Sequence, residues 1–159
     1  MTYETYRDTL SVHEARIDQS ENYLWEYLDE GDRGRLSEVL DELERDLHAL
    51  HQQVRAEMEV LWKGEDIDPD DVTLPEPDGP CDEFDDPVLR AIAELASILM
   101  EVSLCLVDPL EIPADPRERT DEMMAWRLIF KMADLPVLDL LIPKVLAEVQ
   151  KVRDLAPAD

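Results

Sequence analysis

A chain of 159 residues with 40 Asp and Glu against 15 Lys and Arg carries a formal net charge of −25. That repels nucleic acid and anionic membrane as direct partners and favours basic surfaces. Apolar residues make up 45% of the chain, too many for a disordered acidic tail, and two cysteines are too few for a disulfide framework. The charge is also uneven: residues 1–87 hold 27 acids and 7 bases (net −20), whereas residues 88–159 hold 13 and 8 (net −5).

The opening Met1-Thr2-Tyr3-Glu4 lacks a basic stretch followed by an apolar one, so no secretory signal is expected and a cytoplasmic location is. Tyr3, Tyr6, Leu10, His13, Ile17, Ser20, Leu24 and Tyr27 alternate by three and four, predicting a helix from about residue 2 to Glu30. A short turn with two glycines follows at 29–34. A second stripe runs through Leu36, Leu40, Leu43, Leu47, Leu50, Val54, Met58 and Leu61. The connection is short enough to predict an antiparallel helical hairpin over residues 1–63.

Residues 64–87 (GEDIDPDDVTLPEPDGPCDEFDDP) hold eleven acids, five prolines, two glycines and no Lys or Arg, so a long acidic loop is expected. Asp86-Pro87 offers an N-cap and first position for a third helix. That helix covers Val88 to Val107, 20 residues whose polar stripe is Arg90, Glu94, Ser97 and Glu101. A bilayer span would bury three charged groups at roughly 2.5–3.5 kcal/mol each near the midplane. The central helix of a bundle is the expected reading, with no membrane partner. Asp108 to Pro116 breaks the chain, and Asp115-Pro116-Arg117-Glu118 has the pattern of a helix start. A fourth helix is expected to run to about Asp134, with Met124, Leu128 and Met132 inward. A fifth is expected from about Pro136 to Leu155, with Pro143 kinking or splitting it. The predicted fold class is therefore all-α: a single domain over 1–159 with about five helices (hairpin 1–63, acidic loop 64–87, three-helix remainder 88–159).

On the second helix, Asp41–Arg45 and Glu59–Lys63 are ordered as favourable ion pairs, whereas on the first Glu14–Asp18 and Asp18–Glu21 set like charges face to face. Such carboxylates at i and i+4 stand about 6 Å apart along a helix, a spacing able to substitute for phosphates in a basic groove. In charge and helicity, though through no motif, the chain resembles the acidic, mostly helical DNA-mimic inhibitors that phages and mobile elements encode. What this implies is a non-enzymatic protein that occupies the basic, nucleic-acid-binding site of a partner. The expected contacts are Glu14, Asp18 and Glu21 on the first helix, with Asp66, Asp68, Asp70, Asp71, Asp82, Glu83, Asp85 and Asp86 in the loop. Long amphipathic helices with extra apolar flank, Trp25 included, also predict a homodimer.

Other chemistries leave fainter traces. Asp66, Asp68 and Asp70 open like a calcium loop, but Asp71 replaces its glycine and Pro77 its bidentate glutamate. Glu44, His48 and His51 fall within about 60° on the second helix and are the candidates for a metal site, the alternative being a metal-dependent helical-bundle enzyme. The Arg45/His51 spacing of a helical ribonuclease and the Glu38/Asp41 and Glu118/Asp121 pairs of a pyrophosphatase occur without the basic groups such substrates need. No cofactor is expected. A further alternative, an acidic housekeeping protein or chaperone of a halophile, accounts for the low lysine content but predicts an even acidic coat. Cys105, in an apolar run, is expected to be an inert buried thiol.

Overall fold

The computed structural model describes residues 10–30, 34–63, 68–74, 84–106 and 115–156, and these form an all-α bundle with no strand among them. Its helices are α1 (Glu14–Glu30), α2 (Leu36–Leu61), α3 (Pro87–Leu106) and α4 (Asp121–Leu155), with short 3₁₀ turns at Ser11–His13, Pro69–Asp71 and Pro116–Glu118. The predicted stripes become the core: Leu10, Ile17, Leu24 and Tyr27 from the first stripe, and Leu36, Leu40, Leu43, Leu47, Leu50, Val54 and Leu61 from the second, are buried in one cluster that all four helices feed. Tyr3 and Tyr6 lie outside the described residues. α3 is buried around most of its circumference, as its composition predicts; even Ser97 is inaccessible.

Each helix packs on two others, in the ring order α1–α3–α4–α2. Cross-helix pairs give the directions. Arg16 meets Asp46, and Arg35 lies over the Tyr23 ring, so α1 and α2 are antiparallel. Asp18 meets Ser103, near the start of α1 and the end of α3. Lys151 meets Glu94, and Arg153 meets Asp41 while Trp62 meets Met132, so α4 runs against both α3 and α2. α2 and α3 are therefore parallel, on a diagonal of the ring. Chain leaving α2 must travel back along the whole bundle, about 39 Å for the 26 residues of α2, before α3 can begin. The 25 residues from 62 to 86 reach roughly twice that when extended. The length of the acidic segment thus has a topological cause.

The largest departure from the sequence reading is that α4 is one continuous helix of 35 residues holding both Pro136 and Pro143, where two helices were expected. A proline removes the N–H that would bond the carbonyl four residues back. For Pro136 that carbonyl belongs to Met132, and the Trp62 indole N–H donates to it at 3.0 Å. The side chain of the C-cap residue of α2 thus replaces the missing helical bond. Pro143 is on the exposed side of α4.

The start of α4 also differs. Asp115 caps the Pro116–Glu118 turn by accepting from Arg117 N–H at 3.0 Å, and α4 begins later, with Thr120 as N-cap accepting from Met123 N–H at 3.1 Å. The Asp86 cap of α3 forms as expected, its carboxylate accepting from Val88 N–H at 2.8 Å. Among the described residues no helix is long and apolar enough to cross a membrane.

Candidate interaction surface

The carboxylates expected to meet a partner divide into three groups. Glu14, Asp18 and Glu21 share one stripe of α1, half-buried along the seam with α3. The Ser103 hydroxyl donates to Asp18 at 2.7 Å, so one oxygen of this carboxylate already holds α1 to α3. Burial pushes the Glu21 carboxyl above its ordinary range and the Asp18 charge adds to the effect, while the Trp25 indole donating to it pulls the other way. Trp25, counted with the extra apolar flank of the first helix, is partly buried against the core.

The second group lies in and beside the Pro69–Asp71 turn, where Asp68 is an N-cap accepting from Asp70 N–H at 3.0 Å, and Asp70 and Asp71 are exposed. The third group is Asp85 and Asp86 at the start of α3. Asp85 is exposed, Asp86 is the cap, and Arg90 is drawn onto the Phe84 carbonyl at 2.9 Å rather than onto an acid. Asp66, Asp82 and Glu83 lie outside the described residues.

These groups do not make one compact patch. Asp86 precedes Ser103, the neighbour of Asp18, by seventeen residues, or about 25 Å along α3. The interhelical ion pairs use Asp41, Glu44, Asp46, Glu94 and Asp139, on α2, α3 and α4. None of the described carboxylates expected at the interface is in an ion pair among the described residues. The helix-internal pairs expected on α2 give way to longer-range ones: Asp41 binds Arg153 at 2.8 Å, and Lys63 lies beyond the end of α2 with φ of 52°.

The candidate metal group on α2 comes apart in three dimensions. His51 turns to α4 and donates to Asp139 at 2.8 Å, where Arg55 joins it at 3.3 Å. Glu44 is held by Arg153 at 2.7 Å, leaving exposed His48 at 3.9 Å from it. A guanidinium on Glu44 competes with any cation, and among the described residues no three His, Cys, Asp or Glu groups converge to hold a metal. Helical spacing had placed these three residues on one face; it carried no information about Asp139 or Arg153, far along the chain on α4.

Cys105, expected to be a buried thiol, is half-buried against the core. Desolvation above all, with Asp134 and Glu101 assisting and Lys131 opposing, pushes it up to about 12, so it is protonated and unreactive at neutral pH. Lys131 beside it is only 1% exposed, an unusual depth for a lysine. Near this cluster Trp126, Ile129 and Phe130 are exposed on α4. No family pattern, curated protein or solved structure matches this chain.

Proposed function

We propose that this protein is a non-enzymatic acidic interaction protein that binds, and blocks, a basic nucleic-acid-binding site on a partner protein. The observation that carries this reading is the division of charge. Among the described residues Arg55, Lys151 and Arg153 pair across the seams that tie α4 to α2 and α3, and the carboxylates of the α1 stripe, the Pro69–Asp71 turn and the entry to α3 take part in no ion pair. A general acidic coat would distribute its cations more evenly. The acids also differ in what they can offer. Asp68, Asp86 and Asp18 already hold the fold together, so the charges available to a partner are chiefly Asp70, Asp71 and Asp85, with Glu14 and Glu21 contributing field from the seam.

Capture of partners from a host lysate tests the proposal. Binding should be strong at about 50 mM salt and largely lost by about 500 mM, because contacts of this kind are screened. The captured proteins should be dominated by nucleic-acid binders, and duplex DNA should compete for the same site. Asp70→Lys, Asp71→Lys and Asp85→Lys together should remove capture and leave helical content intact, since none of the three caps a helix. Capture that resists both salt and charge reversal would refute the proposal.

A further inference from the structure

We draw no further inference here: the strongest candidate, the exposed apolar face of Trp126, Ile129 and Phe130 on the N-terminal turns of α4, carries nothing because nothing in the structure shows what covers it.

Discussion

Trp62→Phe in combination with Pro136→Ala tests how a helix tolerates a buried proline. In the folded protein the Met132 carbonyl has no N–H partner from Pro136 and receives the Trp62 indole at 3.0 Å instead. Phenylalanine keeps most of the aromatic volume but removes the donor. Leaving a buried acceptor unsatisfied costs about 1–3 kcal/mol, and the partial burial of this pair places the expected loss near 1–2 kcal/mol. Pro136→Ala returns the backbone N–H to the ladder, so the same Trp62→Phe change should then cost about 0.5 kcal/mol or less. The coupling in a double-mutant cycle should be about 1 kcal/mol. Urea melts followed by far-ultraviolet circular dichroism measure all four corners, with equal slopes as the check that the unfolded state is unchanged. If Trp62→Phe costs the same in both backgrounds, the indole is not the substitute for the proline's missing donor, and the continuity of α4 needs another cause. Pro136→Ala alone carries two opposing effects, relief of about 3 kcal/mol of intrinsic helix penalty and loss of buried ring packing. The coupling is therefore the informative quantity.

Further consequences are open to the same kind of measurement. Thr120→Ala removes the N-cap of α4 and should cost about 0.5–2 kcal/mol, whereas Asp115→Ala, capping only a short turn, should cost less; equal losses would mean that α4 has its start elsewhere. Lys63 holds a left-handed conformation at the end of α2, a geometry that favours glycine, so Lys63→Gly should raise stability by roughly 0.5–1 kcal/mol in a urea melt, and a loss would count against strain there. The pH dependence has a definite sign. Burial raises the carboxyls of Glu21, Asp134 and Glu148 above their ordinary values, so the folded state holds protons that the unfolded chain releases. Their contribution is therefore fully present below the ordinary values of 3.8 for Asp and 4.5 for Glu, and is lost as pH rises through the raised ones. His13 acts oppositely over its own range: burial, with Arg16 assisting, lowers its pKa, so protonation disfavours the fold as pH falls below 6.5. As pH falls from 7 toward those ordinary values, protonation of the three raised carboxyls should raise the melting temperature, with His13 working against them; replacing Glu21 and Glu148 by Gln should flatten that rise, and an unchanged profile in the double variant would contradict this assignment.

The separation between what was legible in the sequence and what was not follows the range of the interactions. Period and cap are local. The stripe from Leu10 to Tyr27, the leucine row of α2 and the Asp86-Pro87 entry to α3 could be read directly because a helix repeats every few residues and its first turn needs a neighbouring acceptor. The all-α class follows from these. Tertiary structure alone decided that α4 passes through Pro136 unbroken, because the compensating donor is on Trp62, more than seventy residues earlier. It also decided that His51 serves Asp139 and that Glu44 serves Arg153, which removes the metal candidate helical spacing had assembled. The acidic segment reads from composition as a loop, but its length becomes intelligible only once α2 and α3 prove parallel, since a chain emerging at one end of the bundle must return to the other. Composition measured how much negative charge the protein carries. Which carboxylates hold a hydrogen bond or an ion pair depended on where distant arginines, serines and helix ends came to rest.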